Sequence, residues 1–209
     1  RSSDISYGSS YGIYTYNASP LIEGNTILSN GSYGIYHYYL GSPVDRNNII
    51  NGNSNGIYVL YATPSIEGNT ITGSSGWGIY YYDARNAPVI TGNTITGNLR
   101  GMIIPASSVP NSTDGNVLGP NSINGIWILG NARGSNLRLE ALYAGEAHEV
   151  NTYQIYDTLT MNAGFTLTVD PGVVVKFNAG AGLDIDGALS AVGTAAQPVV
   201  FTSYKDDAY

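Results

Sequence analysis

A phrase of 22 residues, repeated four times head to tail, limits what this chain can fold into more than any other feature. The copies run from Gly12-Ile13-Tyr14 to Asn25-Thr26-Ile27, from Gly34-Ile35-Tyr36 to Asn47-Asn48-Ile49, from Gly56-Ile57-Tyr58 to Asn69-Thr70-Ile71, and from Gly78-Ile79-Tyr80 to Asn93-Thr94-Ile95. The leading glycines stand at 12, 34, 56 and 78, a constant step of 22. A fixed period of that size marks a solenoid, in which each copy buries its apolar face only by stacking on its neighbours. Twenty-two residues are too few for a strand-helix-strand crossover of about 30. They suit one coil of an all-β parallel β-helix, with equivalent residues of successive coils about 4.8 Å apart.

Composition agrees. The 209 residues include 27 Gly and 18 Tyr, and only 11% are charged. Disordered chains combine high net charge with few aromatics, so this one is predicted to fold. Ile, Val, Tyr and Thr broken at short intervals by Gly, Asn, Ser and Pro describe short strands and tight turns. No window sustains a helical apolar spacing. A net charge of −7 with 8 scattered basic residues disfavours nucleic acid, which demands clustered Lys and Arg. No apolar run is long enough for a membrane span. With 0 Cys, disulfide and thiol chemistry are excluded. The chain opens on Arg1 without a signal-peptide pattern and reads as a processed or excised piece of something longer.

Stacking turns each repeat position into a file of like residues. One apolar file is predicted at Ile13, Ile35, Ile57 and Ile79, and a second at Ile27, Ile49, Ile71 and Ile95. Asn25, Asn47, Asn69 and Asn93 form a third file, a structural ladder at a turn where Asn tolerates left-handed backbone and bonds the coils above and below. Tyr14, Tyr36, Tyr58 and Tyr80 form a tyrosine file, Tyr16, Tyr38 and Tyr82 a second, and Tyr39 with Tyr61 a partial third. If these side chains point outward they make an aromatic strip that covers the coils, glues filaments or stacks on sugar rings. Glu23, Asp45 and Glu67 occupy equivalent places, so three carboxylates would line up as a solvated acidic face or a calcium site.

Catalytic groups are sparse. The 2 histidines, His37 and His148, lie far apart in sequence, which argues against a His-based metal cluster or a triad. A hydrolase needs two carboxylates facing each other across a cleft, which Glu23 and Asp45 would mimic only by accident. The nearest residues to a basic proton abstractor, Arg85 and Arg100, sit in no recognisable catalytic phrase. Thr26, Thr70 and Thr94 suggest an ice-binding rank interrupted by Asn48. Asn17-Ala18-Ser19, Asn30-Gly31-Ser32 and Asn111-Ser112-Thr113 are glycosylation-compatible sequons.

Beyond the fourth copy, Gly101-Met102-Ile103-Ile104 and Gly125-Ile126-Trp127-Ile128 read as two further coil openings. The segment 131–152 is an irregular connection, with its most helix-compatible residues at Leu137 to Leu142. From Tyr153, six short strands recur every seven to ten residues, so the expected organisation is 1–130, 131–152 and 153–209.

The Gly-Ile-Tyr and Gly-Asn-Thr-Ile-Thr-Gly phrases (Gly68 to Gly73, Gly92 to Gly97) resemble the right-handed parallel β-helix repeat family. That superfamily includes pectate lyases, other polysaccharide-active enzymes and many non-enzymatic surface proteins. Residues 153–207 are similar to the start of β-helix modules in large secreted prokaryotic proteins, through Leu167-Thr168-Val169-Asp170-Pro171-Gly172, Val175-Lys176-Phe177 and Gly193 to Ser203. The resemblance implies an extracellular or cell-surface setting. A start-like module downstream of an end-like one implies open coil edges, which are templates for association. The expected function is a non-enzymatic structural rod or fibre subunit, self-associating head to tail, with the tyrosine files as lateral contacts. The alternative is a carbohydrate-binding or polysaccharide-cleaving module.

Overall fold

A computed structural model describes residues 3–82, 88–111, 113–130, 134–142 and 150–206. The chain is an all-β parallel solenoid of about 8 turns, about 23 residues apart, matching a right-handed β-helix. The single helical element among the described residues is the 3-10 turn Ala106–Ser108. No helix there is long and apolar enough to cross a membrane.

The chain divides into two compact units, residues 1–103 with 113–124, and residues 104–112 with 125–209. In the first unit each of the four repeat coils contributes one six-residue strand and two three-residue strands, and a further strand, Arg100–Pro105, runs across the boundary between the units. The long strands Tyr11–Tyr16, Tyr33–Tyr38, Asn55–Leu60, Trp77–Tyr82 and Arg100–Pro105 pair in that order. A second sheet joins Asp4–Ser6, Thr26–Leu28, Ile49–Asn51, Thr70–Thr72 and Thr94–Thr96. A third joins Leu21–Glu23, Val44–Arg46, Ser65–Glu67 and Val89–Thr91. In the second unit Thr152–Ile155, Val174–Phe177 and Val200–Ser203 pair in parallel. Leu137–Leu139, Thr166–Val169 and Ala188–Ala191 do the same, as do Leu159–Met161 and Leu183–Ile185. Six of these eight strands, all but Thr152–Ile155 and Leu137–Leu139, match the six read from sequence to within a residue. The helix-compatible stretch at Leu137 is a strand instead, because pairing with Thr166–Val169 buries Leu137 and Leu139.

The first apolar file is as expected: Ile13, Ile35, Ile57 and Ile79 follow one another in register and continue to Met102. The second is not. Ile27 pairs with Ile50, and Ile50 with Ile71, while Ile49 faces outward between Thr26 and Thr70 and is 50% exposed. The cause is a compensated slip in the second coil. Five residues lie between Tyr38 and Val44, where four lie between Tyr16 and Leu21. The coil then recovers register by losing a residue between Asn53 and Gly56. The constant glycine step conceals both changes.

That step has a steric origin. A Cβ placed on Gly34 would lie 2.7 Å from Ile50 Cγ2 and 2.8 Å from the Gly56 carbonyl oxygen. Only glycine lets the long strand approach the aliphatic file so closely. Gly34→Ala is expected to cost about 1–3 kcal/mol through forced displacement of packed neighbours. Chemical denaturation reads this directly, and an unchanged midpoint would contradict it.

Candidate functional site

The long strands carry the aromatic side chains, because strand alternation sends Ile35, Ile57 and Ile79 into the core and their neighbours outward. Tyr14, Tyr36, Tyr58 and Tyr80 pair rung to rung. Tyr16, Tyr38 and Tyr82 share a second file, interrupted at Leu60. Sequence reading missed a third file, Tyr11, Tyr33, Asn55 and Trp77, which the residue before each leading glycine would have revealed. The rings touch continuously. Centroids lie 5.8 Å apart between Tyr11 and Tyr33, 4.6 Å between Tyr33 and Tyr58, and 5.0 Å between Tyr58 and Tyr80. The rung pairs Tyr14–Tyr36 and Tyr16–Tyr38 lie at 5.2 and 5.5 Å. Tyr39 stacks on Tyr16 at 5.9 Å from a turn with φ 62°, and Tyr61 begins the equivalent turn with φ 61°. Such pairs contribute about 0.5–1.5 kcal/mol each beyond area burial, and they leave Tyr14 47% and Tyr16 57% exposed. From Tyr11 to Tyr82 the outward positions of these strands hold no charge. Arg100 borders the face, its guanidinium 5.4 Å from the Trp77 ring.

Crowding alters the phenols. Burial first, then the neighbouring rings Tyr14, Tyr11, Tyr33 and Tyr38, push Tyr36 up to about 12. Burial followed by Tyr33, Tyr80, Tyr36 and Tyr82 does the same to Tyr58. An unfolded tyrosine titrates near about 10, so the fold holds the neutral form and the extra proton. The resulting stabilisation is complete below pH about 10 and disappears as pH rises through about 12. Alkaline titration is therefore expected to show a late tyrosinate absorbance stage coincident with loss of fold, and Tyr58→Phe should move that unfolding midpoint upward. A single stage near pH 10 with the fold intact would contradict this.

The asparagine ladder exists with one member changed. Asn25, Asn48, Asn69, Asn93 and Asn116 stand in file, each side-chain oxygen accepting from the backbone N–H of the coil before: Asn25 to Asn48 at 2.9 Å, Asn48 to Asn69 at 3.0 Å, Asn69 to Asn93 at 2.9 Å and Asn93 to Asn116 at 3.0 Å. Asn47 belongs to the adjacent turn file with Gly24, Gly68 and Gly92, where all four have φ between 55° and 65°. A second ladder, unforeseen from sequence, links Asn30 to Asn53 and Asn98 to Asn121, five residues beyond the first; Ser74 takes its place in the third coil.

The same slip dissolves the carboxylate file. Glu23 pairs with Arg46, and Arg46 with Glu67. Arg46 donates Nε to Glu23 Oε1 at 2.8 Å and Nη2 to Oε2 at 3.2 Å. Asp45 instead turns inward between Ile22 and Ile66 and is fully buried. A cation between two glutamates and an arginine is disfavoured, so this set does not fit calcium, nor do Glu23 and Asp45 face one another across a cleft. The threonine rank is broken by Ile49 rather than Asn48. Among the described residues no group of three or more His, Asp or Glu is placed to hold a metal. Arg85 and His148 lie outside the described residues.

Inside the solenoid, Asp45 Oδ2 meets His37 Nε2 at 2.7 Å, and Thr15 Oγ1 meets His37 Nδ1 at 2.7 Å. His37 and Asp45 are both fully buried. The Thr-His-Asp order resembles a nucleophilic relay, with His37 and Asp45 fully buried and Thr15 partly so, and the Thr15–His37 bond ties the first coil to the second.

A family model described as a right-handed beta helix region matches residues 1–141. No curated protein and no solved structure matches the chain.

Proposed function

The chain belongs to the right-handed β-helix family, and from that premise we propose a non-enzymatic, extracellular structural role as a section of a β-helical rod or fibre. Its lateral contacts are made by the tyrosine face, against the same face of a second copy. One observation carries this reading: the chain has a net charge of −7, yet the outward positions between Tyr11 and Tyr82 are uncharged and hold a cluster of touching rings from Tyr11 to Tyr80, broken only at Asn55 and Leu60. Two copies repel elsewhere and meet without charge repulsion there, and exposed aromatic area of this kind is what interfaces are built on. The edges of the outermost strands are where a further coil, of the same polypeptide or of another copy, would continue the ladder end to end. The extracellular setting draws on the likeness of 153–207 to modules of secreted proteins.

A second reading, glycan binding, draws on the same exposed ring faces of Tyr14 and Tyr16. Sedimentation velocity over a concentration series, beside electron micrographs, separates the two. Self-association that is lost in a Tyr14→Ser, Tyr16→Ser, Tyr82→Ser variant is expected. A concentration-independent monomer without filaments overturns the structural reading, as does turnover in a polysaccharide lyase assay. Binding on a glycan array by such a monomer favours the second reading.

A further inference from the structure

We propose that the tyrosine face is a site of oxidative cross-linking, at which phenols on neighbouring rungs are joined as dityrosine by hydrogen peroxide and a haem peroxidase. This goes beyond the contact role and applies to the face while its outer rings are uncovered.

A parallel ladder repeats every side chain about 4.8 Å along the axis, so Tyr11 stands over Tyr33, Tyr16 over Tyr38, and Tyr14, Tyr36, Tyr58 and Tyr80 over one another, while Tyr33 meets Tyr58 across two files. Ring centroids of Tyr33 and Tyr58 are 4.6 Å apart, those of Tyr58 and Tyr80 5.0 Å, and those of Tyr14 and Tyr36 5.2 Å. Radical coupling depends on encounter between two phenoxyl rings, and here the encounter is built into the fold. The outer rings are open to an oxidant, with Tyr11 42% and Tyr14 47% exposed. With 0 Cys the chain has no disulfide with which to tie one rung to the next. Tyrosine is the residue that supplies a covalent staple.

The chemistry balances. Each of two tyrosines loses one electron and its phenolic proton. The two radicals join through their Cε carbons, and the hydrogens on those carbons pass to the phenolic oxygens as the rings regain aromaticity. Hydrogen peroxide accepts the two electrons and two protons and leaves as two waters. The chain loses two hydrogens per cross-link.

The internal controls are tyrosines off the face. Tyr7 follows the strand Asp4–Ser6, Tyr156 follows Thr152–Ile155, and Tyr204 follows Val200–Ser203; they are 81%, 48% and 41% exposed. If accessibility alone governed coupling, Tyr7 would react first. The whole chain is treated with peroxidase and hydrogen peroxide at low protein concentration, then digested and mapped by tandem mass spectrometry alongside dityrosine fluorescence. Expected are intrachain links among Tyr14, Tyr33, Tyr36, Tyr58 and Tyr80, each with a mass loss of two hydrogens. Tyr58→Phe removes one hydroxyl and keeps the ring, so that variant should fold, retain the Tyr14–Tyr36 link and lose those made by Tyr58. Absence of dityrosine, or links at Tyr7, Tyr156 and Tyr204 as frequent as on the face, would overturn the proposal.

Discussion

Asp45→Ala is expected to lower stability by about 3–5 kcal/mol, while the double replacement His37→Val with Asp45→Ile leaves the chain at least as stable as the parent. The difference follows from what each change leaves behind. Asp45 and His37 are fully buried and 2.7 Å apart, and Asp45 Oδ1 has no hydrogen-bond partner. Removing the carboxylate alone strands the imidazole in the apolar interior, which costs about 3–5 kcal/mol, whereas exchanging both partners for hydrophobic residues is often neutral or stabilising. The file neighbours supply the design. Asp45 sits between Ile22 and Ile66, and His37 is followed by Val59, so the double variant makes the second coil resemble its neighbours. Thr15 is only partly buried and can turn its hydroxyl to water. Urea midpoints decide the matter; equal losses in the single and double variants would contradict the account.

Asn69→Ala is expected to cost about 3 kcal/mol, against less than about 0.5 kcal/mol for the outward neighbour Thr70→Ala. Asn69 Nδ2 donates to the Asp45 carbonyl at 2.8 Å and to Asn93 Oδ1 at 3.1 Å, and its Oδ1 accepts from Asn48 N at 3.0 Å. Truncation leaves a buried N–H and a buried carbonyl unpaired, at about 1–3 kcal/mol each. Because each asparagine bonds the next, the loss should spread, and hydrogen exchange at the amides of Asn48 and Asn25 should accelerate with it. Exchange rates unchanged at those amides would show that the ladder is decoration.

Much of this was legible in the chain itself. The glycine step announced the solenoid because close approach between strand and aliphatic file forbids a Cβ at each leading position, which makes that residue invariant within the repeat. The tyrosine files followed from the same step, since all long strands share it. What stayed hidden was the second coil. An added residue before Val44 and a missing one before Gly56 cancel over the period, so counting from the glycines placed Ile49, Asn47 and Asp45 one position out. Three separate errors have that single cause. No side-chain identity exposes the slip, because Asn47-Asn48 and Ile49-Ile50 are doublets whose members satisfy either register. His37 and Asp45 were then unreadable as partners, because only the slip brings Asp45 into the core opposite His37.

The side chains lie in files displaced by one residue in the second coil. The chain contains 0 Cys, so introduced pairs report cleanly. Rung neighbours in a parallel ladder fall within the Cα separation of about 4.4–6.8 Å that a disulfide spans. Glu23→Cys with Arg46→Cys is expected to oxidise readily in the folded chain. Glu23→Cys with Asp45→Cys should stay reduced until unfolding, since position 45 points into the core. Ready oxidation of the second pair and not the first would contradict the register, and with it the account.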